Sequence, residues 1–197
     1  LFGNMKSNLI RSVLLSVSRG YLAGRGPGGS MGRAYQKLSW ASASFAVMTD
    51  IAMATMGGGL KTKGKMTGRF ADVLSWMYIG TAVLARFEAE GSKKEDLPLA
   101  QYSMDMVFAE IQKGFDGIFT NFSVPGVSWI FRYILGTWSR LNSIGSTPKD
   151  ALGLKVANAL LKPSDLRDRL TKGSYIPTDR NKEHMAKLDY ALIKITE

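Results

Sequence analysis

Apolar residues recur at intervals of three and four positions along most of the chain, which is the spacing of one helical face. The pattern predicts four long helices, over residues 2–22, 33–56, 66–88 and 97–118. The second helix has a wide apolar stripe rich in small residues, so we expect it to be buried on more than one side. The apolar face of the first helix consists of Met5, Leu9, Ile10, Val13, Leu14, Val17 and Tyr21. We expect the apolar face of the third helix to point inward, and it consists of Phe70, Val73, Leu74, Met77, Tyr78, Thr81 and Leu84.

The rest of the chain is less regular. An aromatic segment at 124–144 precedes short helices at 151–161 and 166–171, and a loop follows through Tyr175, Ile176 and Pro177. Because no sustained alternation with period two occurs, the sequence predicts an all-α fold. We expect an up-down helical bundle of four long helices over 1–123, in which the second to fourth run up, down and up. An amphipathic aromatic helix and additional short C-terminal helices would form 124–197.

Composition limits the chemistry that this chain can perform. It has no cysteine and one histidine, His184, which excludes thiolate metal sites, cysteine nucleophiles and zinc sites with two histidines. No metal ligand is therefore assigned. No apolar run reaches the ~20 residues that span a bilayer, and a cytoplasmic location is the default. The chain begins at Leu1 and stops within an apolar pattern at Glu197, so we expect that it is truncated at both ends.

The chain is strongly basic. Lys and Arg number 26 against 16 Asp and Glu, and this net charge of +10 attracts nucleic acid, anionic lipid or phosphate-bearing ligands alike. A basic turn is predicted between the second and third helices, and its candidate patch for a phosphate or anionic surface is Lys61, Lys63, Lys65 and Arg69. The acidic residues near the end of the third helix are interpreted as a solvated turn with local charge pairs; they are Glu88, Glu90, Glu95 and Asp96.

Two glycine-rich stretches imitate nucleotide-binding motifs. Residues 24–29 have the G-x-G-x-x-G spacing, but the pattern before them is helical, whereas the dinucleotide motif follows a strand. Residues 59–66 nearly form a P-loop, but Met66 stands where a magnesium-binding Ser or Thr is needed. We interpret both stretches as turns between helices.

The segment 124–144 has two open interpretations. Core packing is the ordinary fate of an apolar helix. Aromatic residues with arginines and no acidic residue are also typical of a helix that lies in a membrane interface. The candidate membrane or partner surface is Trp129, Phe131, Arg132, Trp138 and Arg140.

Several stretches together resemble the C-terminal region of bacterial, FadE-type long-chain acyl-coenzyme A dehydrogenases. They occur in order and with matching spacings over nearly the whole chain. These stretches are GRAY at 32–35, TD at 49–50, GGGLK at 57–61, RFADVLS at 69–75, RFEAEG at 86–91, EDLPL at 95–99, KVA at 155–157, RDRL at 167–170 and GSYIP at 173–177.

This resemblance implies an oxidoreductase several times longer than the chain. An upstream dehydrogenase core of the same polypeptide would bind FAD and remove hydrogens from the α and β carbons of a fatty acyl-coenzyme A, and an electron acceptor would reoxidise it. The family's catalytic glutamate and flavin-binding motifs precede the region corresponding to Leu1. No residue of this chain is therefore assigned a catalytic or cofactor-binding role.

The resemblance also suggests a role for the region itself. Longer eukaryotic acyl-coenzyme A dehydrogenases carry a comparable helical region associated with membrane attachment and dimer organisation, an analogy at the level of fold alone. We expect this region to stabilise the core in β-oxidation and to hold the enzyme at an anionic inner membrane surface. A homodimer is a further expected partner.

Two alternatives stay open. One is a free-standing nucleic-acid-binding module that uses a stripe of basic residues, namely Lys61, Lys63, Lys65, Arg69, Lys93 and Lys94. The other is a purely structural dimerisation bundle.

Overall fold

The computed structural model describes residues 2–175 and 183–196, and these residues form helices and no strand. The predicted all-α fold is therefore confirmed. The helices are α1 (Phe2–Val17), α2 (Gly32–Met56), α3 (Gly64–Ala89), α4 (Leu97–Asn121), α5 (Gly136–Leu141), α6 (Asp150–Leu161), α7 (Asp165–Thr171) and α8 (His184–Thr196). A π-helix, Ile130–Leu135, leads into α5. Of the predicted C-terminal loop, Ile176 and Pro177 lie outside the described residues.

Helices α2, α3 and α4 run up, down and up, as the sequence predicts. The Tyr35 hydroxyl near the start of α2 reaches Glu88 at the end of α3, and the Phe45 and Phe70 rings meet edge to face at 6.0 Å. Two glycines let α3 and α4 approach closely. A Cβ at Gly80 would lie 2.9 Å from the Val107 side chain, and one at Gly114 would overlap the side chain of Val73.

Helix α2 is the central helix of the bundle. Of residues 31–52, Ser42 alone is fully exposed, which confirms the expectation that this helix is buried on more than one side. Small residues such as Ala41 and Ala43 are almost fully buried within it. Because they have so little side chain, neighbouring helices can pack close to the α2 backbone.

Helix α1 packs on α2 in an orientation that the sequence did not predict. Its buried side carries Leu15 and the half-buried polar residues Asn8, Ser12 and Ser16, and the Asn8 amide donates to Asp50 at 2.9 Å. Most members of the predicted apolar face point outward, and their side chains are 52–65% exposed: Leu9, Ile10, Val13, Leu14, Val17 and Tyr21. Small and polar side chains permit a close contact with α2, so the bulkier apolar residues point away.

Helix α3 is buried along a narrower stripe than predicted. Val73, Met77 and Leu84 are buried, but Leu74 and Tyr78 are 54% and 76% exposed and Thr81 is exposed as well. Successive residues of a helix are about 100° apart around its axis, so Leu74 and Tyr78 lie one position beyond the buried line. The assignment of these three residues to the core was wrong.

Candidate functional site

The chain reverses after α4 and runs back along that helix. The Gln112 side chain of α4 anchors the returning segment, because its amide donates to Ser139 Oγ at 2.9 Å and its carbonyl accepts from the Ile144 N–H at 2.9 Å. Gly145 lies so close to α4 that a Cβ there would be 2.6 Å from the carbonyl carbon of Phe108. The predicted aromatic segment 124–144 therefore packs against α4, while the predicted division of the chain at residue 123 stays a prediction.

A π-helix places the aromatic residues of this segment. The N–H of Gly136 donates to the carbonyl of Phe131, five residues earlier, which widens the turn. Phe131 is 2% exposed, and its ring is stacked on that of Phe122 with centroids 3.9 Å apart. Phe131 therefore belongs to the core, which corrects its assignment to a membrane or partner surface.

The other four residues of that candidate surface are exposed, but they do not form one face. Trp129 is 56% exposed and lies near the exposed Arg132. Trp138 turns towards α1, where its indole Nε1 donates to Ser16 Oγ at 2.7 Å. Arg140 is exposed beyond it on α5.

An apolar groove of about 700 Å³ lies between α1, α2, α4 and the segment 130–144. Its outer walls are exposed side chains of α1 and of the returning segment. Its floor consists of side chains of α2 and α4, of which Trp40 and Phe115 are buried and Val47 is half-buried. The walls consist of Leu9, Val13, Val17, Tyr133, Ile134 and Trp138. The outward face of α1 and the position of Trp138 together create this groove.

The predicted basic turn connects α2 to α3, and its residues have different surroundings. Lys61 and Lys65 are exposed. The Lys63 Nζ donates to the carbonyl of Ser123 at 3.0 Å, and Arg69 lies across α4, where a Cβ at Gly117 would be 3.0 Å from its Cδ. The turn and the segment that follows α4 therefore share one end of the bundle.

An ion-pair cluster around the buried Asp96, which the sequence did not predict, joins α7 to the turn between α3 and α4. The Arg169 guanidinium donates to both carboxylate oxygens of Asp96 at 2.8 and 2.9 Å, and to Glu90 at 2.8 Å. Its Nε lies 2.8 Å from Asp165, and the hydrogen bonds with Asp96 are the first cause of the raised pKa of Arg169. Asp96 is 6% exposed, so the interpretation of this turn as solvated was wrong for it.

A second buried contact joins α2 to the end of α3. The Tyr35 hydroxyl donates to a carboxylate oxygen of Glu88 at 2.6 Å. Burial, and then the hydrogen bond and charge of Glu88, raise the pKa of Tyr35 to about 12. Glu88 is therefore also held by a partner within the fold.

Within residues 2–175 and 183–196, no group of three or more His, Cys, Asp and Glu side chains is placed to hold a metal ion. Over the same ranges, every helix is too short or too polar to cross a membrane. The only histidine, His184, is exposed at the start of α8.

The sequence model of the family described as acyl-CoA dehydrogenase, C-terminal, bacterial type, matches residues 1–197. The chain belongs to this family. No solved structure matches it. The resemblance on which the sequence analysis relied is thus confirmed over the whole length of the chain.

The stretches that carry the family resemblance meet in this acyl-CoA dehydrogenase C-terminal domain. RFEAEG contains Glu90, EDLPL contains Asp96 and RDRL contains Arg169, and these three residues form the ion-pair cluster. GRAY contains Tyr35, which bonds to Glu88 in RFEAEG. The characteristic residues therefore hold helices together.

Acyl-CoA dehydrogenases are generally FAD-dependent, but neither the apolar groove nor the glycine loop of this domain fits that dinucleotide. The side chains that line the apolar groove include no Lys or Arg to meet a pyrophosphate. The glycine loop at 24–29 follows a helix, and the Tyr35 ring lies over Gly26, where a Cβ would be 2.7 Å from the ring. We assign no step of the oxidation to these residues.

The ion-pair cluster predicts an unequal response to two neutralising substitutions. Asp96→Asn should lower the free energy of unfolding by about 2 kcal/mol, because it removes the bidentate, charge-assisted pair while Glu90 and Asp165 still contact Arg169. Asp96 makes no side-chain capping bond to α4, so loss of a helix cap does not contribute. Urea denaturation followed by circular dichroism measures the change.

Glu95→Gln is the matched control for that substitution. Glu95 is 63% exposed on its side chain and lies 3.7 Å from Arg169, so its loss should cost less than about 1 kcal/mol. Equal losses for the two variants would show that the cluster does not depend on its buried partner.

Proposed function

We propose that this chain is the helical C-terminal domain of an FAD-dependent oxidoreductase that performs α,β-dehydrogenation of fatty acyl-CoA in β-oxidation. The family match over residues 1–197 supports this proposal most directly. The dehydrogenase core of the same polypeptide would supply FAD and the catalytic base, bind the fatty acyl-CoA and pass electrons to an acceptor. The present domain would contribute stability and surfaces.

The proposed dehydrogenation is tested on the intact polypeptide that contains this domain. The purified protein should carry a flavin whose visible absorbance bleaches when fatty acyl-CoA is added without an electron acceptor. A protein that binds no flavin, or a flavin that fatty acyl-CoA does not reduce, would refute the assignment.

We further propose that the domain holds the enzyme at the cytoplasmic side of an anionic inner membrane. Trp129 is half-exposed beside Arg132, and exposed aromatic and cationic side chains together favour an anionic membrane interface. The Lys63–Ser123 hydrogen bond brings the basic turn to the same end of the bundle, so Lys61 and Lys65 add positive charge there. Trp138 and Arg140 were candidates for the same surface, but Trp138 turns towards α1, so the proposed membrane surface consists of Trp129, Arg132 and the basic turn.

The alternative of a nucleic-acid-binding module has less support from the arrangement of the basic residues. Lys63 and Arg69 pack on the end of α4, and Lys93 lies 3.4 Å from Asp165. A phosphate-facing stripe would need these charges side by side and exposed. A homodimer stays a further proposal, which light scattering of the intact protein can address.

Membrane binding should depend on the basic turn and on Trp129. Each lysine near an anionic surface contributes ~1 kcal/mol, so the double change Lys61→Gln, Lys65→Gln should weaken binding roughly thirtyfold. Trp129→Ala should weaken it further. Flotation with phosphatidylglycerol-containing vesicles measures the binding, and vesicles of phosphatidylcholine alone should bind little.

Tyr78→Ala is the control, because Tyr78 is an aromatic residue that is 76% exposed on a different helix, α3. It should leave flotation unchanged. Membrane attachment by this surface would be refuted if vesicle binding were unchanged by the lysine and Trp129 substitutions, or if it did not depend on anionic lipid.

A further inference from the structure

The apolar groove defined above combines a hydrophobic lining with a shape that favours one kind of ligand. Its lining is aliphatic and aromatic, with a few hydroxyl and amide groups, and includes no charged side chain. Apolar clefts of roughly 300–1,000 Å³ with a few polar groups are typical of small-molecule sites, and this groove has about 700 Å³. The groove is therefore large enough for a ligand of considerable apolar surface.

The length of the groove is close to the span of an acyl chain in one leaflet of a bilayer. Its lining residues on α1 extend from Leu9 to Val17, and those on α2 from Trp40 to Ile51. At ~1.5 Å per residue these spans are about 12 and 16 Å. An acyl chain in one leaflet of a bilayer spans ~15 Å, half of the hydrocarbon thickness.

A polypeptide helix fits the same space poorly. A helix with its side chains is ~10 Å wide. The hydrogen bond between Trp138 Nε1 and Ser16 Oγ also links the two walls near one end. A helix lying along the groove would break this link, whereas a narrow chain can pass beneath it.

The two ends of the groove differ in charge. Asn142 lines one end, and its side-chain carbonyl accepts a hydrogen bond from Arg19 Nε at 3.0 Å. The Arg19 guanidinium therefore lies at this end of the groove. Leu9 and Ile51 line the opposite end, next to the Asn8–Asp50 hydrogen bond, so a carboxylate stands there. An anionic head group is therefore favoured at the Arg19 end, with an apolar tail towards Leu9 and Ile51.

We propose that this groove binds one long-chain fatty acid, with its carboxylate at Arg19 and its hydrocarbon tail between α1 and the segment 130–144. This site is independent of the dehydrogenation proposed above, since it uses neither flavin nor a catalytic base. It also differs from the membrane surface around Trp129, because the ligand is a single molecule held between helices.

The first test uses a long-chain fatty acid that carries bromine atoms on its tail, which quench tryptophan fluorescence on contact. Trp40 and Trp138 line the groove, whereas Trp76 and Trp129 do not. The intact protein should show saturable quenching, and Trp138→Phe should remove a large part of it. Trp129→Phe removes a tryptophan that lies outside the groove. The fraction of the remaining tryptophan fluorescence that is quenched should therefore be at least as large as in the unaltered protein.

Two substitutions on α1 provide a matched pair. Val13→Asp places a carboxylate in the groove wall and should weaken binding about tenfold or more, which corresponds to ~1.4 kcal/mol. Ile10→Asp is the control, because Ile10 is similarly exposed but does not line this groove. Should Val13→Asp fail to fold by circular dichroism, Ser44→Leu obstructs the groove without a charge and should weaken binding as well.

The head group is tested with Arg19→Gln. This change should weaken binding of the fatty acid severalfold and leave binding of the fatty alcohol of equal length unchanged. Equal weakening of both ligands would contradict the proposed orientation.

Three further results would overturn the site itself. The first is an absence of saturable quenching in the intact protein, and the second is an equal loss of binding in Val13→Asp and Ile10→Asp. The third is quenching by vesicles of brominated phospholipid that is as strong as quenching by the fatty acid and that disappears with Trp129→Ala. The first result would mean that another part of the polypeptide or a second copy covers the groove. The third would mean that tryptophan is quenched at the membrane surface and not in the groove.

Discussion

The close contact between α3 and α4 determines the position of most other elements. Gly80 and Gly114 remove the side chains that would keep the two helices apart, so α4 lies deep in the bundle with Ile111 and Phe115 fully buried. The remaining side of α4 is covered by the returning segment, which Gln112 anchors through its amide. Without this arrangement the π-helix would have no surface on which to stack Phe131.

The orientation of α1 follows from the same preference for close packing. Small and polar residues face α2, and Leu15 is the one large side chain of α1 that is buried among the residues whose burial is described. The apolar residues of α1 consequently lie outside, where they form a wall of the groove with Trp138 opposite. A domain that belongs to an enzyme family thus exposes apolar side chains at its surface, while the polar groups of its ion-pair cluster hold helices together.

The sequence predicted the helices well, and their positions less well. Periodicity located the long helices and their up, down and up order because burial on one side imposes that spacing. It placed Leu74 and Tyr78 inside and gave no direction for the apolar face of the first helix, since apolar residues around more than half of a helix leave the inward direction undetermined. The π-helix widened one turn, so Phe131 moved into the core while Trp129 stayed exposed.

The ion-pair cluster shows a different limit of sequence reasoning. Arg169 is 73 positions beyond Asp96, so only the fold brings the two together. The family resemblance contained the signal, because three of its stretches supply the members of the cluster, but the local pattern of charges suggested a solvated turn. Likewise, the groove arises from α1 and the segment 130–144, which are more than a hundred residues apart.

The central claim is that α1 presents its apolar residues outward, and the absence of cysteine from the chain allows a direct test. Single cysteines can be introduced at Leu14, which is 52% exposed, and at Leu15, which is 4% exposed, and their reaction with a thiol reagent can be timed in the folded protein. The structure predicts rapid reaction of Leu14→Cys and protection of Leu15→Cys. Protection of Leu14→Cys with rapid reaction of Leu15→Cys would contradict it.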